Sequence, residues 1–170
     1  LATIDDNSLT LVTPVGGDDV SLTAVAVFAD KAVGAGKSGS LAGSSLGGAD
    51  AGNYTLSLAG APTTTADITA KELTVTGADA DDKVYDGTTD ATITGGTLVG
   101  VVGGDTVSLG APQVGTFAQA AVGTDIAVTA ALTLTGADAG NYSLTQPAGL
   151  SADITTLELT IGGSFTASDK

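Results

Sequence analysis

Gly48-Ala-Asp-Ala-Gly-Asn-Tyr-Thr-Leu56 returns, with one substitution, as Gly136-Ala-Asp-Ala-Gly-Asn-Tyr-Ser-Leu144. The same spacing relates Leu11–Leu22 to Leu98–Leu109, Ala66-Asp-Ile-Thr69 to Ala152-Asp-Ile-Thr155, and Glu72-Leu-Thr-Val75 to Glu158-Leu-Thr-Ile161. Offsets that stay near-constant and drift only at turns are what tandem domains with loop insertions produce, so the 170 residues divide by repetition before any fold is considered. One repeat is complete, at about 71–156. Residues 1–70 form a first repeat lacking its opening strand and the segment equivalent to Lys83–Thr89. Residues 157–170 copy an opening strand and end on Lys170, the counterpart of Lys83. With no Met at its start, Leu1 reads as an internal residue of a longer precursor.

Within the complete repeat, apolar residues alternate with Thr and Ser in short runs, the period of half-buried strands. The pattern predicts strands at Glu72–Thr76, Ala91–Thr94, Thr106–Leu109, Gly115–Ala118, Ile126–Thr135, Tyr142–Thr145 and Ala152–Thr155, separated by Gly, Asp, Asn and Pro clusters. About seven strands in a repeat of this size point to an all-β protein of tandem immunoglobulin-like β-sandwich repeats. Asp138-Ala-Gly-Asn-Tyr142 resembles the tyrosine corner of immunoglobulin domains. That resemblance makes Tyr54 and Tyr142, with Asp50 and Asp138, structural corner residues whose hydroxyls tie back to upstream backbone.

Composition removes several chemistries. The chain has neither Cys nor His, so disulfide frameworks, thiol and serine-triad catalysis, and His- or Cys-ligated metals lack raw material. The expectation is a non-enzymatic protein with no resident cofactor. Nineteen acidic side chains against five basic ones give a formal charge of −14, which disfavours nucleic acid and keeps a glycine-rich chain soluble. No apolar run approaches a bilayer span, so no membrane insertion of this segment is expected.

Lys83-Val-Tyr-Asp-Gly-Thr-Thr89, followed by Gly103-Gly-Asp105 and Gly136–Tyr142, resembles the YDG-type repeats of large bacterial surface adhesins such as haemagglutinin-like exoproteins. The resemblance implies a secreted, extracellular shaft at the bacterial cell surface whose partners are neighbouring repeats of the same protein. It implies no catalytic residue and leaves the receptor open.

Four further sets of residues have a functional reading beside a plainer one. Asp79, Asp81, Asp82 and Asp86 cluster at the repeat junction and have the oxygen chemistry calcium takes, though their spacing is not that of an EF-hand; the plainer reading is a solvated acidic turn. Lys83, Tyr85, Asp86 and Gly87 form the junction motif, either a ligand-contacting loop or a turn with Tyr85 plugging the end of a neighbouring unit. Tyr54 and Tyr142 are sugar-stacking candidates, but only three Phe and three Tyr exist to build such a platform. Lys83 or Lys170, with Asn53 or Asn141, has the residue types of a lysine–asparagine cross-link; the alternative is a surface lysine.

The composite expectation is a structural stalk or adhesive repeat serving surface projection, adhesion or cell–cell contact. Two alternatives stand beside it. One is a filament subunit, with 157–170 donating its strand to the incomplete first repeat of another copy, a form of homotypic self-association. The other is a glycan-binding module.

Overall fold

The computed structural model describes residues 9–11 and 14–168 and resolves into two compact units, one within Leu1–Ala70 and one within Lys71–Lys170. Among the described residues the protein is all-β apart from two single-turn 3-10 segments, Ala51–Asn53 and Ala139–Asn141.

In the first unit the strands are β1 (Ser21–Thr23), β2 (Val27–Phe28), β3 (Gly34–Ser40), β4 (Ser45–Gly47) and β5 (Thr64–Ile68). β1 pairs antiparallel with β4, and β3 lies between β2 and β5. Among the described residues of this unit, Ala26 is the sole fully buried apolar side chain; Phe28 and Ile68 are half-buried.

The second unit holds β6 (Lys71–Thr76), β7 (Asp79–Ala80), β8 (Lys83–Val84), β9 (Asp90–Thr94), β10 (Thr97–Val99), β11 (Ser108–Leu109), β12 (Val114–Phe117), β13 (Gly123–Ala130), β14 (Leu134–Thr135), β15 (Tyr142–Leu144) and β16 (Leu150–Thr155). Six of them form one sheet in the order β7-β9-β12-β13-β16-β8. Its first and last strands, β7 and β8, belong to one continuous run separated by Asp81 and Asp82. Asp81 N–H still donates to Thr92 of β9, whereas Tyr85 N–H already donates to Thr155 of β16. A chain that pairs with both edges of a sheet within a few residues must hold those edges together, so the sheet is rolled rather than open.

Alternation along these strands buries Ala91 and Ile93 of β9, Phe117 of β12, Ile126, Val128 and Ala130 of β13, and Ala152 and Ile154 of β16. The smaller β10-β6-β15 and β11-β14 sheets back this core, with Val75, Leu109 and Leu144 packed against it. Leu73 of β6 is wholly buried, at 0% exposure.

The repeat has more and shorter strands than the seven the alternation predicts. The run expected as one strand at Ile126–Thr135 breaks after Ala130 because the Gln146 side chain takes over the ladder's role: its Oε1 accepts from Leu132 N–H and its Nε2 donates to Leu132 C=O, each at 2.8 Å. The opening strand expected at 157–170 also differs. Its described part, 157–168, contains no strand; Lys170 lies outside the described residues. No helix among the described residues is long and apolar enough to cross a membrane.

Candidate functional site

The two tyrosine corners are built alike. Tyr54 Oη donates to Asp18 at 2.7 Å and accepts the Val15 N–H at 2.9 Å. Tyr142 Oη donates to Asp105 at 2.6 Å and accepts the Val102 N–H at 3.1 Å. Asp50 accepts from Asp19 N–H and Asp138 from Thr106 N–H, both at 2.9 Å, so each corner holds the chain 30 to 40 residues upstream by a phenol and a carboxylate together. Gly48 and Gly136 make this approach possible. Both have left-handed φ, 102° and 115°, and a Cβ would sit 2.2 Å from Asp19 O or 2.3 Å from Thr106 O. The hydrogen bond to the facing carboxylate raises the pKa of each phenol, because it is lost on ionisation and leaves two anions side by side.

The junction motif closes around a lysine. Lys83 Nζ donates to Thr88 O, Thr88 Oγ1 and Asp90 O, each at 3.0 Å, and pairs with Asp86 at 2.8 Å. The same ammonium lies 5.7 Å from the centre of the buried Phe117 ring. Asp86 also accepts from the Thr88 N–H and hydroxyl, and these bonds with Lys83 lower its pKa to about 2. Gly87, at φ 81°, makes the turn. Lys83 is thus engaged by oxygen acceptors of its own loop. Tyr85 is 42% exposed.

The junction aspartates do not converge. Asp79 caps the adjacent Ala80 N–H, Asp81 accepts from the Thr94 hydroxyl on β9, Asp82 accepts from Asp153 N–H on β16, and Asp86 pairs with Lys83. Asp81 and Asp82 point apart because successive side chains along an extended strand do. Among the described residues no three Asp, Glu, His or Cys gather as a metal site.

A feature that residue patterns alone do not display is an open groove of about 590 Å³ in the first unit. Leu9 and Leu11 line one side and Tyr54, Leu56 and Ser57 the other, with Leu22 and Leu46 among its lining residues. In the second unit the equivalents of these two walls are β10 and β15, and β6 lies between them, pairing antiparallel with β10 and parallel with β15. By that equivalence the groove lies at the position that β6 holds in the second unit. Tyr54–Leu56, unlike β15, is not a strand, since a strand needs a partner for its backbone groups.

The YDG domain family model matches this chain twice, over residues 2–66 and 69–152. No curated protein and no solved structure matches it.

Proposed function

The chain belongs to the YDG domain family, and from that premise we propose that it is a non-enzymatic spacer, a structural and adhesive repeat of a secreted bacterial surface protein. The observation that carries the reading is the duplicated corner: Tyr54 with Asp18 and Tyr142 with Asp105 repeat the same pair of bonds in two separate units. Conserving a clamp while repeating a unit multiplies length, and in such arrays stability accrues unit by unit. The charge of −14 supports an exposed, crowded setting in which chains must repel one another. The resemblance of the Lys83–Thr89 motif to repeats of bacterial adhesins supports the surface location.

Single-molecule extension of the chain, held by its two ends, tests the reading. Residues 71–155 should yield in one resolvable event that releases roughly 30 nm of chain, at up to about 3.6 Å per extended residue. A chain that extends smoothly without such an event would be useless as a load-bearing spacer, and the reading would fall.

A further inference from the structure

Asp86-Gly87 is the one Asp-Gly pair in the sequence. Glycine has no Cβ to shield its nitrogen, so the Gly87 amide can attack the side-chain carboxyl carbon of Asp86. The Gly87 N–Asp86 Cγ bond forms, the hydroxyl of the carboxylic acid leaves with the amide proton as water, and a cyclic imide results. Water then reopens the ring at either carbonyl, and one of the two products, isoaspartate, runs its main chain through the former side chain. The water lost is the water regained, so no co-reactant is needed. We infer that the Lys83 clamp guards this bond, so that Asp86-Gly87 is a covalent modification site available only when the loop opens. The inference goes beyond the spacer reading and stands without it.

The loop holds the carboxylate in one state and one place. Asp86 Oδ1 accepts from the Thr88 N–H at 2.9 Å and the Thr88 hydroxyl at 3.0 Å, and it faces Lys83 Nζ at 2.8 Å. Only the acid form can lose water, and an ammonium at that distance favours the anion. Lys83 first, then Thr88, holds the Asp86 pKa at about 2. The ammonium is placed independently of Asp86, by the backbone oxygens of Thr88 and Asp90 at 3.0 Å each and by the Phe117 ring. The attacking side has no such cover. Nothing lies within 4 Å of where a Gly87 Cβ would stand, and the Asp86 side chain is 53% exposed to the water that completes the reaction. The clamp, not burial, therefore protects the bond.

Isomerisation disables the clamp. Isoaspartate adds a methylene to the main chain between residues 86 and 87 and leaves the carboxylate on the α carbon, so the contacts of Oδ1 with Lys83 and Thr88 cannot be remade. The turn sits where that matters. Tyr85 N–H donates to Thr155 O just before it, and Thr89 O accepts from Phe117 N–H just after it. It thereby links β8, at one edge of the six-stranded sheet, to β9, next to the other edge. A unit whose loop has stayed open long enough is marked at that link.

Peptide mapping with electron-transfer fragmentation, which distinguishes aspartate from isoaspartate at residue 86, tests this on the full chain after prolonged incubation at neutral pH. Isoaspartate should accumulate in the folded chain at least about tenfold more slowly than in the same chain held unfolded in guanidinium chloride, tenfold being the effect of one pKa unit on the acid form. K83M keeps the lysine stem over Phe117 and removes the cation; T88V removes the hydroxyl between Lys83 and Asp86. Folded K83M should isomerise at least about tenfold faster than the native chain, and T88V should also be faster, while both match it when unfolded. G136A weakens the same unit at its tyrosine corner and leaves the loop intact, so it should stay near the native rate. A folded chain that isomerises at the unfolded rate, K83M and T88V no faster than native, or G136A as fast as K83M would each overturn the inference. None of these outcomes alters the extension event, so the spacer reading is judged separately.

Discussion

The Tyr142 hydroxyl donates to the Asp105 carboxylate at 2.6 Å while accepting the Val102 N–H, so one phenol oxygen joins the start of β15 to a loop almost forty residues upstream. Tyr142→Phe removes both bonds without changing the packed ring, leaving the Val102 N–H without that acceptor. The second unit should lose on the order of 5 °C in melting temperature, the scale on which a domain this size answers the loss of a buried hydrogen-bonded group. Tyr54→Phe should cost the first unit less, because Tyr54 is half-buried where Tyr142 is buried. Amide signals assigned to each unit, followed through thermal denaturation, separate the two effects.

The same corners and the junction loop give opposite pH responses. Each corner phenol has its pKa raised in the folded chain, so its contribution to stability is whole below the unfolded value near 10 and is lost as pH rises through the folded one. Asp86 is depressed to about 2, so its contribution is whole above the ordinary aspartate value and disappears as pH falls from about 4 through about 2. Carbon shifts of the Asp86 carboxyl should titrate near 2, and the Thr88 amide should move with it. In D86N that acid step should vanish from Thr88 while the alkaline response of the corners persists.

Alternation made β9, β12 and β16 legible, since Ala91 and Ile93, Phe117, and Ala152 and Ile154 fall on one face at a spacing of two. It was silent on β7 and β8, because two-residue strands contain no period. Rolling of the larger sheet was equally hidden, since it depends on the short run 79–85 changing partners between Asp81 and Tyr85. That change also explains the acidic cluster: Asp81 and Asp82 serve opposite edges of the sheet, although sequence proximity suggested a shared cation. The groove was not legible, because its two walls required pairing information that only β10, β6 and β15 supply.

Two glycines separate backbone strain from steric exclusion. Gly36 has φ 60° and nothing within 4 Å of an added Cβ, and its equivalent in the second unit, Asp125, adopts φ 50°. In both units the residue donates its N–H to an aspartate on the last strand, Gly36 to Asp67 and Asp125 to Asp153, each at 2.8 Å. Gly36→Ala should cost about 1 kcal/mol through backbone conformation alone, and Gly36→Asp less, because aspartate tolerates this region better. Gly136→Ala adds a 2.3 Å collision with Thr106 O to an unfavourable φ and should cost roughly 3 kcal/mol or detach the corner. Urea denaturation of the three variants should rank them Gly36→Asp, Gly36→Ala, Gly136→Ala in rising damage.

Phe117 and Phe28 occupy equivalent positions in unequal surroundings. Phe117 is packed among Ile93, Val128 and Ile154 and lies beneath the Lys83 ammonium, whereas Phe28 is half-buried in a unit whose described residues include one fully buried apolar side chain, Ala26. Phe117→Ala should therefore cost about 3–5 kcal/mol, the range for emptying an aromatic site in a closed core. The same change at Phe28 should cost less than about half as much, since less apolar surface returns to water. Phe117→Leu divides the first effect further: most of the packing survives, while the ring under Lys83 is lost, a contribution of about 0.5–1 kcal/mol at a partly exposed cation. If urea denaturation gives equal losses for Phe28→Ala and Phe117→Ala, the first unit has a core as complete as the second, and the thinner burial around Phe28 becomes untenable as an account of it.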